Sequence, residues 1–329
     1  MTNLKRILRS ILFIAVSVSG LFAVESASSA STVKQSTVVY TLKGNVQDAF
    51  YTMMDKPIKA LGYRLPDPRK HVNAVYEKEY GATTFDVLSF MTIVSDKKVK
   101  PLLEIDPKLA GFNPFNVVIY KYKNKDETVI SHLTAEAIIE MLGITDNTVI
   151  TEFTKLMTEL DGLIGQTFPT ATVSHATYEG EIKDSMLHYE VDFERPEDLD
   201  DYIDEIQGKV DDTFTEKGYI MAGFFDYKQG KPDLLPSYDA FWTFSLCHFP
   251  YSYTVFDNEG AMPEATVFAP CTMYMYIKKD TNTLVIGMPR LSNWSRFFEI
   301  RGQKRIDFLN KLNKEIPAIF LEIGVKEIK

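Results

Sequence analysis

Three sulfur-bearing side chains alternate in Cys271-Thr272-Met273-Tyr274-Met275. Alternate residues of a β-strand share a face, so Cys271, Met273 and Met275 would line one side of it. Thiolate and thioether are the soft ligands that suit Cu(I), and Cys247 or His248 could complete such a site. The same pattern also describes a core stripe. Ile277 continues the face, and buried methionine and cysteine are ordinary gap-filling residues. Packing is the preferred reading of the stripe, with Cu(I) as the alternative to no cofactor at all.

Cys247 and Cys271 are the only cysteines of the chain. A disulfide between them competes with a shared metal. Strand alternation groups Cys247 with Phe241, Thr243 and Ser245, whereas Cys271 goes with the apolar Met273 and Met275. Regular strands would therefore turn the two sulfurs to opposite sides, which disfavours a bridge. Both residues fall near strand ends, where alternation often fails, so the bridge stays open as a possibility. Close by stand Phe241, Trp242, Phe244, Phe249, Tyr251, Tyr253 and Phe256, a density that suits either a ligand pocket or, by preference, a core.

Stronger signatures of chemistry are missing. The chain has no G-x-S-x-G, H-E-x-x-H, C-x-x-C, G-x-G-x-x-G or P-loop. His71, His132, His175, His188 and His248 are scattered without metal-ligand spacing. The acidic run 194–205 lacks the glycine-centred loop of an EF-hand and reads as the N-terminal turns of a helix, where carboxylates complement the dipole. These absences remove the common kinds of enzyme, and the expectation leans towards a non-catalytic protein, with a hydrolase or isomerase lacking a recognisable motif as the last alternative.

The elements that would position these residues occur twice. A shift of 156 residues without a gap lays Asp48 on Asp204, Gly62-Tyr63 on Gly218-Tyr219 and Phe85 on Phe241. It also lays Phe112 on Phe268, Pro114 on Pro270, Tyr120 on Tyr276 and Leu156 on Leu312. Each copy should begin with a strand (38–42 and 187–193). An amphipathic helix follows and ends at the paired Gly-Tyr, where glycine accepts the left-handed turn. In the first copy Asn45 is the expected N-cap of that helix. Strands are expected at 71–80, 85–94, 115–122 and 128–132, and in the second copy at 219–227, 241–248, 271–278 and 283–287. A last amphipathic helix closes each copy, and Pro317 should stop or kink the second one. Strands in groups imply an α+β class, with two tandem copies of a small domain, a mainly antiparallel sheet in each and helices packed on one face. The boundaries are 31–165 for the first copy, 166–184 for a linker and 185–329 for the second.

The stretches Ser245-Leu246-Cys247-His248 and Val267-Phe268-Ala269-Pro270-Cys271, with Met273 to Tyr276, resemble the domain of unknown function 302 family. The first copy resembles it more loosely, through residues 101–105 and 114–120. By the shift, Met91 and Thr92 stand there for Cys247 and His248, and Phe115 stands for Cys271. The resemblance implies a small α+β domain that often pairs with another copy. It brings no established activity and no catalytic residues.

Residues 1–30 read as a secretory signal peptide. Lys5, Arg6 and Arg9 precede an apolar run over 11–21, with small residues for cleavage after Ala23 or Ala30. That run is short for a bilayer, which needs about 20 residues. The mature chain is expected to be periplasmic or secreted, without a stable membrane anchor. The net charge is −9 and no stretch is rich in Lys and Arg, so nucleic acid is not an expected partner. A non-catalytic binding or accessory protein fits best, with a cleft between the copies and an unknown small ligand or periplasmic protein as partner. The alternative is a soft-metal or thiol-redox protein using Cys247, His248 and Cys271.

Overall fold

Residues rich in β-branched and aromatic side chains build a long first strand, β1 (Val33–Lys43), whose burial alternates through Val38, Tyr40 and Leu42. The computed structural model describes residues 33–229, 232–257 and 262–328. The expected signal peptide, with its cleavage sites, lies outside the described residues. Among the described residues no helix is long and apolar enough to cross a membrane.

After β1 the first copy runs α1 (Gln47–Asp55), α2 (Pro57–Ala60), β2 (Pro68–Arg69), α3 (Val72–Tyr80), β3 (Phe85–Ile93) and α4 (Asp96–Ile105). A 3-10 helix (Pro107–Phe112), β4 (Phe115–Tyr122), β5 (Glu127–Leu133), α5 (Ala135–Leu142), α6 (Asn147–Thr167) and β6 (Thr172–Glu179) complete it. The second copy runs β7 (Met186–Asp192), α7 (Leu199–Glu216), β8 (Ile220–Asp226), β9 (Tyr238–Cys247) and α8 (Phe249–Phe256). A 3-10 helix (Pro263–Phe268), β10 (Cys271–Lys278), β11 (Thr283–Pro289), α9 (Ser292–Phe297), α10 (Gln303–Ile323) and β12 (Lys326–Glu327) follow. The strands form two six-stranded antiparallel sheets, ordered β2-β3-β4-β5-β1-β6 and β8-β9-β10-β11-β7-β12. The class is α+β in two copies of one topology.

Local chemistry recurs with the copies. Gly62 and Gly218 both sit at φ 87°, and each closes its helix in the same way. Gly62 N–H bonds the Lys59 carbonyl and Tyr63 N–H that of Ile58, while Gly218 and Tyr219 bond Thr215 and Phe214. The N-cap of α1 is Val46, without a side-chain cap bond, rather than the expected Asn45; Asn45 stands one residue earlier and accepts from Gln47 N–H at 3.0 Å. The acidic run 194–205 opens α7, with Asp198 accepting from Asp200 N–H and Asp200 and Asp201 in the first turn. The peptide bonds before Pro114 and Pro270 are both cis.

Several expectations need correction. Residues 71–80 form a helix, not a strand: Val72 and Tyr76 are buried one turn apart, His71 enters at φ 57°, and Gly81 ends it at φ 76°. Between the strands expected at 85–94 and 115–122, residues 96–105 form α4. Within 166–184, β6 extends the first sheet by pairing with β1. Pro317 lies inside α10 and does not stop it, because Ile319, Phe320 and Ile323 beyond it are buried. Their burial, about 1.5–3 kcal/mol for each such side chain, outweighs the roughly 3 kcal/mol penalty of the proline.

The gapless shift also fails at one strand. Val117 pairs with Met91, and Met273, 156 residues on from Val117, pairs with Phe244, 153 residues on from Met91. The counterpart of β3 is therefore displaced by three residues. Val94 and Ser95, rather than Met91 and Thr92, occupy the places of Cys247 and His248. Arg64 bridges Val94 as Ile220 pairs with Cys247, which fixes this equivalence.

The copies meet through equivalent surfaces. Phe112 and Phe268, equivalent residues, place their rings 6.3 Å apart, the signature of a twofold-like contact. Each 3-10 helix packs on the other copy, Pro107–Phe112 against β10 and Pro263–Phe268 against β4. Thr84 N–H donates to Asp257 at 2.8 Å, and its counterpart Ser237 N–H donates to Glu104 at 3.3 Å.

Candidate functional site

Where β2 of one copy approaches β8 of the other, the junction encloses a cavity of about 510 Å³. The rim comes from two edge strands. Asp67, Pro68, Arg69 and Lys70 belong to the first copy, and Ile220 and Ala222 to the second. Arg69 pairs with the Asp67 carboxylate at 2.8 Å and donates across the junction to the Ala222 carbonyl. Gly223 allows this approach, since a Cβ there would stand 3.1 Å from the Asp67 carboxylate oxygen. Burial raises the Asp67 pKa above the ordinary carboxylate value, although Arg69 acts against it.

The wall and floor are apolar. Helix α3 supplies Val72, Val75 and Tyr76, and Tyr76 donates to the Ser252 hydroxyl of α8 at 3.0 Å. The Tyr76 and Phe249 rings lie 5.2 Å apart, so a helix from each copy closes one side. Deeper in, Phe90 meets Phe256 edge to face at 6.0 Å, and Phe256 stacks on Trp294 at 5.6 Å. Val75 and Ile220 remain 43% and 50% exposed, which leaves an apolar lip at the opening.

Cys247, His248 and Cys271 all line this cavity. Cys271 pairs with Leu246, so Cys247, the next residue, keeps the opposite alternation at the last position of β9. The two thiols are unbridged and half-buried. Burial pushes the Cys247 thiol up to about 11, with the Ser252 hydroxyl and Arg69 pulling the other way. Burial and the neighbouring Cys247 push Cys271 up to about 12. Both are thiols, not thiolates, at neutral pH, and are weak nucleophiles and ligands in that form.

His248 is the N-cap of α8, and its Nδ1 accepts from Tyr251 N–H at 3.2 Å. Its ring is flanked by Tyr219 and Phe308 at 5.0 and 5.2 Å. Burial lowers its pKa, so the ring is neutral at pH 7. Met273 and Met275 are fully buried opposite Phe244 and Trp242 and do not line the cavity. Among the described residues, no three His, Cys, Asp or Glu side chains gather where they could hold a metal ion.

The first copy's share of the cavity was missed by motif reading. Tyr76 and Val72 were hidden by treating 71–80 as a strand, although Val72, Val75, Tyr76 and Tyr80 fall at helical spacing. Of the aromatic run singled out in the sequence, Phe249, Tyr251 and Phe256 line the cavity, while Phe241, Trp242 and Phe244 belong to the buried β9.

No family model matches the chain, and no curated protein does. Among solved structures it is similar to an uncharacterised conserved protein from Bacillus stearothermophilus. The two are 16% identical over 40% of this chain and 94% of that one, with a TM-score of 0.31. That neighbour is described as a domain of unknown function 302 protein.

Proposed function

We propose that this chain is an exported, non-catalytic binding protein whose inter-copy cavity takes a small, largely apolar ligand. The cavity carries the reading. Its volume lies within the range of small-molecule sites, its floor is aromatic, and its charged residues stand at the rim. Export rests on Lys5, Arg6 and Arg9 ahead of the apolar run 11–21. Intact mass of the mature protein tests it, and a mass that still includes residues 1–23 would overturn it.

A soft-metal or thiol role draws on the meeting of Cys247, His248 and Cys271 at one cavity wall. It is the weaker reading. His248 uses Nδ1 in its cap, both thiols keep their protons, and the two methionines are core residues.

Titration with a neutral apolar fluorophore, N-phenyl-1-naphthylamine, tests the binding reading. Saturable uptake of one fluorophore per chain is expected, with a change in the emission of Trp294, which lines the floor. Cys271→Phe, which places at this junction the residue found at the equivalent Phe115, should abolish uptake while leaving the near-UV circular dichroism intact. Absence of saturable uptake, or equal uptake by that variant, overturns the reading.

A further inference from the structure

The outer strands β2 and β8 are each paired on one side only, β2 with β3 and β8 with β9. Across the junction they lie beside one another. The Arg64 guanidinium covers the Phe225 ring at 4.0 Å, a Cβ on Gly223 would stand 3.2 Å from that of Asp67, and Arg69 donates to the Ala222 carbonyl. Residue numbers that rise along one strand fall along the other, so the two run antiparallel. Edges placed in this way can form a ladder and one continuous sheet. Among the described residues, however, no backbone hydrogen bond joins them. The seam between the sheets is closed by side chains.

Its two ends are closed unequally. At the Phe225 end the Arg64 contact is backed by Tyr227, which is fully buried and donates to the Asn113 carbonyl of the other copy. At the cavity end Ile220 is exposed, and among the described residues Arg69 alone ties β2 to β8 by a hydrogen bond. Its guanidinium is half-exposed and is held in place by the Asp67 carboxylate at 2.8 Å. We propose that the seam is the ligand's way in and out, with Arg69 as its latch. The strands part at the cavity end, pivot on the filled end, and close again behind the ligand. This rests on the cavity being a binding site, and adds the route to it and the residue that guards that route. A ladder between the edges would resist opening through several bonds at once. A single exposed side-chain bond is exchanged for water when it breaks. Being two residues long, β2 can shift with little loss of its pairing to β3.

Stopped-flow mixing of the full-length mature protein with N-phenyl-1-naphthylamine measures entry, and dilution of the complex measures exit. Arg69→Met keeps the apolar stem and removes the donors. It should raise both rate constants about fivefold, the weight of one such hydrogen bond, and leave the dissociation constant within about twofold. Lys70→Ala should change neither rate, because that ammonium lies against the Tyr51 ring. The converse variant joins the strands. Asp67→Cys with Gly223→Cys sets the two Cβ atoms about 3.2 Å apart, close to the roughly 3.5–4.5 Å of a disulfide. Oxidised glutathione should link them, releasing two reduced glutathiones, and peptide mass mapping should find the 67–223 bridge. The bridge should slow entry and exit about tenfold or more, and dithiothreitol should restore both. Arg69→Met rates equal to those of the parent, or a change in exit alone, would mean that Arg69 is no latch. Rates untouched by the bridge would put the route elsewhere. Each of these overturns the proposal and leaves the cavity standing. Failure of the bridge to form, which needs no ligand, overturns the seam itself, and failure of the fluorophore to bind the parent protein removes the cavity as well.

Discussion

The two copies make the same junction twice, and the two versions differ in what fills them. At the open one, Cys271 begins β10, and Arg69 and His71 come from the opposite copy. At the other, Phe115 begins β4, and Phe225 and Tyr227 stand where Arg69 and His71 would be. Tyr227 is fully buried, and its hydroxyl donates to the Asn113 carbonyl on the other copy. The Arg64 guanidinium lies 4.0 Å from the centre of the Phe225 ring, which is also buried. His71 instead turns to its own copy, with its ring 5.8 Å from Tyr51 and its N–H bonded to the Ser89 hydroxyl. Whether the junction is core or cavity is thus decided by a few side chains on a shared backbone plan.

Removing Tyr227 is the largest change the comparison anticipates. Tyr227→Ala should cost about 3–5 kcal/mol, the usual loss for a large buried aromatic side chain. His71 is exposed, and His71→Ala should stay within about 0.5 kcal/mol. Urea midpoints at unchanged slope measure both. In Tyr227→Ala the vacated junction should also admit a second N-phenyl-1-naphthylamine. Equal losses in the two variants would mean that the junctions are not alternatives of one another.

The paired carboxylates come next. Asp257 is fully buried and accepts from the Thr84 N–H at 2.8 Å, the Thr84 hydroxyl at 2.6 Å and the Thr83 hydroxyl at 2.5 Å. Its counterpart Glu104 accepts one bond from Ser237 N–H at 3.3 Å. Asp257→Ala leaves several buried donors without their acceptor and should cost about 2–3 kcal/mol. Glu104→Ala should be nearly neutral, within about 0.5 kcal/mol. Similar midpoints for the two would show that the contacts across the junction are equivalent in energy as well as in position.

Much of this architecture was legible in the residues. The Gly62-Tyr63 and Gly218-Tyr219 pairs marked equivalent helix ends because only a left-handed residue closes that turn. Phe112 and Phe268, found by the shift alone, turned out to touch. The displacement of β3 was not legible, since a three-residue slip keeps apolar residues opposite apolar ones in strands buried on both faces. For the same reason the first copy's contribution to the cavity stayed hidden. Residues 67–76 carry no motif, and they acquire a role only when β2 is brought against β8. Cys247, His248 and Cys271 were found because residue type alone drew attention to them.

The cysteines give the smallest but most selective test, because Val94 and Phe115 occupy their places at the filled junction. All thiol chemistry in this chain therefore reports on the open one. Both pKa values are raised in the folded chain, from an ordinary 9.0 to about 11 for Cys247 and about 12 for Cys271. A raised value means that the fold holds the proton more tightly than the unfolded chain does. The stabilisation is then complete below pH 9 and is lost as pH rises through 11 to 12. Iodoacetamide reacts with the thiolate, so at pH 8 folded Cys247 should react about a hundredfold and folded Cys271 about a thousandfold more slowly than in denaturant, from thiolate fraction alone. The rate should climb tenfold per pH unit well beyond pH 9, where an ordinary cysteine levels off. Saturating N-phenyl-1-naphthylamine should slow it further, because both thiols line the cavity that the fluorophore enters. Peptide mass mapping assigns the rate to each cysteine. Modification at pH 8 as fast as that of an exposed thiol would mean that Cys247 or Cys271 is a thiolate in the folded chain. The soft-metal reading would then gain over the binding one, and the difference between the junctions would be one of chemistry, not only of volume.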